Sequence, residues 1–200
     1  MKKIAAILLA TILTFSLAAC GGNNGNSGGS ESGNGSGETE EPVAENALEL
    51  LNTVWSSYAE DEKFPASGGD SSEENMSMEG PGKFSIEDAA MLDSTLGFPQ
   101  ASVGEIDDAA SLMHMMNANN FTCGAFHVKD AGTMEDLTTA IKDNIMQRQW
   151  LCGFPEKLVI MTVGDYVLSF FGSGDIVDTF QGKVSAAYEG AQVVCDEPIA

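Results

Sequence analysis

Two runs, Lys157 to Val163 and Tyr166 to Phe171, are dense in branched and aromatic side chains and flank Gly164-Asp165. That spacing predicts a β-hairpin closed by a two-residue loop of the type II′ kind, with glycine first. The register sets Val163 opposite Tyr166, Met161 opposite Leu168 and Val159 opposite Phe170, which makes one apolar face. The other face carries Leu158, Ile160, Thr162, Val167, Ser169 and Phe171 and is also largely apolar. Antiparallel sheets commonly leave one side polar, so something has to cover this second face. The candidates are an N-terminal helix or a partner.

The remaining elements fall around that hairpin. Asn46 opens a helix with Glu49 as a capping box, and Leu51, Val54, Trp55 and Tyr58 follow at core-facing spacing. Residues 60–83 are acidic and polar and read as a long loop. A short helix is expected from Ser85, with Asp88 as capping partner, Ile86, Ala89, Ala90 and Leu92 as apolar positions, and Gly97 and Pro99 as its stop. Ser111 to Met116 and Phe121 to Val128 read as two strands joined by Asn117-Ala118-Asn119-Asn120, since asparagine tolerates left-handed backbone angles. Thr133, with Asp136 as reciprocal cap, opens a helix whose apolar stripe is Leu137, Ile141 and Ile145. Arg148 falls in its last turn, where a cation complements the helix dipole. A final helix spans Gly174 to Tyr188, with Ile176, Phe180, Val184 and Tyr188 along one stripe. Strand-strand-helix twice, preceded by N-terminal helices, gives an α+β fold: a four-stranded antiparallel sheet with helices packed on a face.

The N-terminus carries an address. Lys2 and Lys3 precede an apolar run from Ile4 to about Leu17, and the segment ends Leu17-Ala18-Ala19-Cys20. This is the layout of a secretory signal, and its apolar part is shorter than the roughly 20 residues a transmembrane helix needs. The last four residues resemble the lipobox of bacterial lipoproteins. In that family the cysteine thiol receives diacylglycerol and a peptidase cuts before it, so the resemblance implies removal of residues 1–19 and a lipid anchor on Cys20. Several acyl chains hold firmly, since each buried methylene contributes about 0.8 kcal/mol. Residues 21–41 are Gly, Ser, Asn, Thr and Glu only; with nothing to bury, they form a tether within a 20–45 linker. Its GxSxG pattern, Gly25 to Gly29, lacks the strand-to-helix setting of a nucleophile elbow. Residues 46–200 then form one extracytoplasmic domain.

Charge and cysteines narrow the function. Without Lys2 and Lys3 the chain has seven basic and 30 acidic residues, a net charge of −23. Such a chain repels nucleic acid, and no basic patch reverses that. Cys123, Cys152 and Cys195 remain beyond the anchor, with no CxxC spacing for a metal ribbon or redox site. An odd number leaves either one disulfide of unspecified pairing or three free thiols, and the free thiols are the simpler reading.

From about Ile106 to Tyr188, within a core of about 106–190, the chain resembles an uncharacterised family of small lipoproteins from anaerobic Gram-positive bacteria. The resemblance rests on the strand ending FHVKD, the helix with its Arg148, the KLVIMTVGDYVLSF hairpin and the helix after Gly174. It implies a fold and no reaction. Some relatives carry a bile-acid-transporter label, but a carrier must cross the bilayer with helices or a closed barrel. Capture of a ligand for a separate transporter is the most this chain would do.

Few residues suggest chemistry. His114 and His127 could activate Cys123 or Cys152, yet both lie in strands and no acid is placed in sequence to orient either. The acidic stretch Glu60 to Glu79 lacks calcium-loop spacing and reads as a solvated charge run. Arg148, the only arginine, and Trp150 could bind a carboxylate, against the plainer role of helix capping. Met113, Met115 and Met116 could line an adaptable surface, against the plainer role of filling a core. No cofactor or metal site is expected. The function expected is a non-enzymatic, lipid-anchored module on the outer face of the cell membrane, binding a protein, a cell-wall component or a small ligand. Its rivals are a solute-capture subunit with a closed apolar pocket and, more weakly, a cysteine-dependent hydrolase.

Overall fold

A computed structural model describes residues 43–150 and 153–199, so Cys20, the tether and Cys152 lie outside the described residues. The domain is α+β, with an antiparallel sheet and helices on both of its faces. The strands are β1 (Ala66–Ser67), β2 (Gly82–Lys83), β3 (Ile106–His114), β4 (Phe121–Val128), β5 (Lys157–Val163), β6 (Tyr166–Gly172) and β7 (Gln192–Pro198). They run in the order β1-β3-β4-β6-β5-β7, and β2 pairs with the same edge of β3 as β1 does. The sheet therefore has seven strands where four were expected. The central four are the expected ones, and β1, β2 and β7 extend them.

The β5–β6 hairpin has the register read from its sequence, with Val163 opposite Tyr166, Met161 opposite Leu168 and Val159 opposite Phe170. Gly164 supplies the turn with φ +55°, and a Cβ there would strike the Val43 side chain at 2.4 Å. Both hairpin faces are covered, as their composition demands. Helices α1 (Ala47–Ser56) and α4 (Gly174–Ala187) lie over Val159, Met161, Leu168 and Phe170. Helices α2 (Ala89–Leu96) and α3 (Met134–Met146) lie over Leu158, Ile160, Val167 and Phe171. The N-terminal helix thus covers the first face, and no partner is needed for the second.

Local signals explain most element ends. The Asn46 side chain accepts from the Glu49 N–H at 2.8 Å, while the Glu49 carboxylate reaches back to the Glu45 N–H. The Asp108 carboxylate accepts from the Ala47 N–H at 2.7 Å, placing a second anion at the start of α1. Helix α2 starts after Asp88, whose carboxylate accepts from Met91 N–H, and not at Ser85. With the start moved, Leu92 and Leu96 face the core and Ala90 is exposed. Gly97 closes α2 at φ +72°. Thr133 precedes α3 without a side-chain cap, because its hydroxyl donates instead to the Asp130 carbonyl; Glu135 and Asp136 sit in the first turn, where acids suit the dipole.

Strand β3 begins five residues earlier than its apolar pattern suggests, because a bulge between Ile106 and Asp108 lets two acids enter the strand. Residues 60–83 are not a plain loop. They contribute β1, β2 and a paired turn in which Gly68 and Ser77 exchange two backbone hydrogen bonds at 2.9 Å.

Candidate functional site

The edge of β3 carries an open groove of about 560 Å³. Met113 of β3 and Met115 in the turn just past its end supply one wall; Met76 and Met78, flanking Ser77, supply another. Met91, Ser94 and Thr95 of α2 roof it, and the buried Phe84 ring backs it. Met76, Met78 and Met115 are 51%, 54% and 42% exposed, so these side chains meet solvent and do not fill a core.

Register places the walls. Ser67 pairs with Met113, and the Met115 N–H donates to the Pro65 carbonyl at 2.8 Å. Ser77 pairs with Gly68, so the two methionine pairs flank the Ser67–Gly68 backbone. Glycine is required at the crossing: a Cβ on Gly68 would lie 2.3 Å from the Gly82 nitrogen and 2.4 Å from the Ser111 carbonyl oxygen. The Ser111 hydroxyl accepts from the Gly69 N–H at 2.9 Å, tying the turn to β3.

Asp70 holds the groove rim together. One carboxylate oxygen accepts from the Ser72 N–H at 2.8 Å and the Ser72 hydroxyl at 2.5 Å; the other accepts from Asn75 Nδ2 at 2.7 Å and the Ser85 N–H at 3.0 Å. Burial alone would raise the carboxyl, but the four donors outweigh it and hold the group at about 2. It therefore stays ionised.

The residues singled out in sequence lie apart from one another. Arg148 falls beyond the end of α3, not in its last turn, and its guanidinium donates to the Ser94 carbonyl in the last turn of α2. It stacks on Trp150 with 5.0 Å to the ring centroid. Burial lowers the guanidinium, with Asp93 pulling the other way. Arg148 Nη1 and Trp150 Nε1 are buried and make no hydrogen bond among the described residues, while the Trp150 ring packs on Phe171 at 5.2 Å. The pair thus clamps α3 to α2, a capping role across helices.

His114 stacks on Phe64 at 5.6 Å, and its Nδ1 accepts from the Met116 N–H at 3.2 Å. His127 does have an orienting acid: its Nδ1 lies 2.5 Å from Asp107 Oδ1, because the β3 bulge sets Asp107 beside β4. This corrects the expectation that neither histidine has one. Cys123 lies four residues back along β4, about 13 Å away by strand rise, beyond reach of His127. Burial pushes the Cys123 thiol up, and burial with Glu197 nearby raises Cys195. Among the described residues both are free, and they sit on opposite sheet faces, so they do not pair with each other.

Among the described residues, no three of His, Cys, Asp and Glu gather into a metal-holding group, and no helix is long and apolar enough to cross a membrane. Sequence reasoning noted Met113, Met115 and Met116 but missed Met76, Met78, Met91 and Asp70. The repeated Met-x-Met of 76–78 and 113–115 was the available signal. Met116 is 77% exposed and is not part of the groove lining. Compared with known proteins, the chain matches no family model, no curated protein and no solved structure.

Proposed function

We propose that this chain is an exported, lipid-anchored binding module of the outer membrane face, and that it takes its ligand in the methionine-lined groove without catalysing a reaction. The observation that carries the reading is the groove itself. Its volume of about 560 Å³ falls within the roughly 300–1,000 Å³ of ligand sites, and its wall combines adaptable thioethers with Ser67, Ser71, Ser94 and Thr95 hydroxyls. The lipobox and tether supply the placement. A solute-capture role uses the same surface, but the groove is open where that role predicts a closed pocket. Thiol hydrolysis draws no support from Cys123 or Cys195, whose burial disfavours the nucleophilic thiolate.

Two measurements test the reading. An alkyne fatty acid fed to producing cells should label the protein through Cys20, and Cys20→Ala should abolish both label and membrane retention. A fragment screen by NMR should produce shifts clustered on Met76, Met78, Met113 and Met115. Shifts confined to other surfaces sink the groove as the binding site.

A further inference from the structure

We propose that the groove is a thioether site for a soft monovalent metal ion, foremost Cu(I), ligated by three or more of Met76, Met78, Met91, Met113 and Met115. The inference rests on the groove being the ligand site and names the ligand's chemistry.

Five of the 13 groove-lining residues are methionine, in a chain with ten methionines among 200 residues. Met91 packs against the core between α2, α3 and the sheet, whereas Met76, Met78, Met113 and Met115 belong to neither core, so packing does not account for their concentration here. Among the described residues, four of the eight large exposed apolar side chains are methionines of segments 76–78 and 115–116. Leucine or isoleucine would also supply apolar surface; what methionine adds is flexibility and a soft sulfur donor.

The geometry lets the sulfurs converge. The two Met-x-Met segments flank one extended backbone, so about two strand spacings, roughly 10 Å, separate them. Each side chain has three rotatable bonds with which to close on a common point. Met91 descends from α2 onto the same space.

Donor chemistry then selects the ion. Thioethers are soft and neutral, and they favour Cu(I) over hard cations such as calcium and magnesium. The wall's one carboxylate, Asp70, is occupied by four hydrogen bonds, three from Ser72 and Asn75 of its own loop and one from the Ser85 N–H beyond β2. A net charge of −21 draws cations to the surface without choosing among them. Unlike thiolate or imidazole, a thioether has no proton to lose before it binds a metal, so affinity should hold on acidification.

The test uses the chain from residue 20 onward, carrying Cys20→Ser and Cys152→Ser so that these two thiols cannot compete. With methionine ε-methyl groups labelled with carbon-13, Ag(I), a redox-inert stand-in for Cu(I), should shift the groove methyls and leave that of buried Met161 in place. Anaerobic competition with a chromogenic Cu(I) chelator should show one ion bound, with affinity equal at about pH 7 and pH 5. Met76→Leu/Met78→Leu/Met113→Leu should weaken binding by more than the roughly 10–100-fold that loss of an outer-shell partner costs. Methyls unmoved by Ag(I), Cu(I) uptake indifferent to the leucine triple, or affinity that falls with acid as an imidazole ligand would make it fall each overturn the proposal. If the triple variant does not fold, the methyl shifts of the unsubstituted groove decide. Organic fragments binding there without any silver response would sink the metal and spare the groove; neither binding would sink both.

Discussion

Asp70→Asn isolates what holds the groove rim. The folded carboxyl sits at about 2, against roughly 3.9 for an unfolded aspartate. Each unit is worth about 1.4 kcal/mol, and discounting for the solvent-facing groove leaves about 2 kcal/mol of stability from ionisation. The amide keeps one acceptor oxygen but replaces the other with a donor. That donor must face Asn75 Nδ2 and the Ser85 N–H, or, if flipped, the two donors of Ser72. Two charge-assisted bonds are lost, and the variant should be less stable by about 2–3 kcal/mol at neutral pH.

The pH dependence separates this account from simple mispacking. The folded value lies below the unfolded one, so the contribution is complete above about pH 3.9 and disappears as pH falls through about 2. Urea unfolding of both proteins at about pH 7, 4 and 2.5 should show the gap narrowing only over the last interval. A gap that stays constant down to about pH 2.5, or one below about 0.5 kcal/mol at neutrality, would refute the assignment of Asp70 as the ionised hub of this loop.

Ser169 is fully buried on the α2/α3 face with a hydroxyl that has no partner among the described residues, so Ser169→Ala should leave thermal stability unchanged or raise it by about 1 kcal/mol. The Phe126 ring lies across Gly124, where a Cβ would come within 2.4 Å of the ring; Gly124→Ala should therefore cost about 1–3 kcal/mol in chemical denaturation. Arg148→Leu removes the bond to the Ser94 carbonyl and the stacking on Trp150, and should destabilise by about 1–2 kcal/mol without changing ligand affinity at the groove. A loss of groove affinity with unchanged stability would return Arg148 to the list of binding residues.

Legibility followed the strength of periodicity. The register of the β5–β6 hairpin was readable to the residue because both faces are apolar and a glycine-led loop fixes it, although β6 runs one residue further, to Gly172. Helix α1 was readable because Asn46 and the Leu51, Val54, Trp55 spacing agree. Strand β7 escaped notice because only Cys195 of its seven residues is buried, while Asp196 and Glu197 look like a tail. In the fold Asp196 pairs with Lys157 at 2.9 Å, and Glu197 pairs with Lys142 of α3. Strands β1 and β2 are two residues each, too short to alternate. The groove was invisible for a related reason: its walls lie some 35 residues apart in sequence, and only the Gly68–Ser77 and Ser67–Met113 pairings bring them together.

The sheet's own design sets where a ligand surface is available. Helices cover both faces, so the strand centres are closed to ligands and binding is left to the edges. On the β3 edge, two dipeptide strands replace one long one, pairing at Met113–His114 and at Ala110–Ser111. Short edge strands guard against pairing with another chain. Here the interruption also lets the chain leave the sheet at Gly68 and return at Gly82, and that excursion brings Met76 and Met78 over the end of β3. Because these methionines lie outside both packed cores, replacing them with leucine should spare the fold. The same separation that makes Met76 and Met78 dispensable for stability makes their replacement interpretable in a binding experiment.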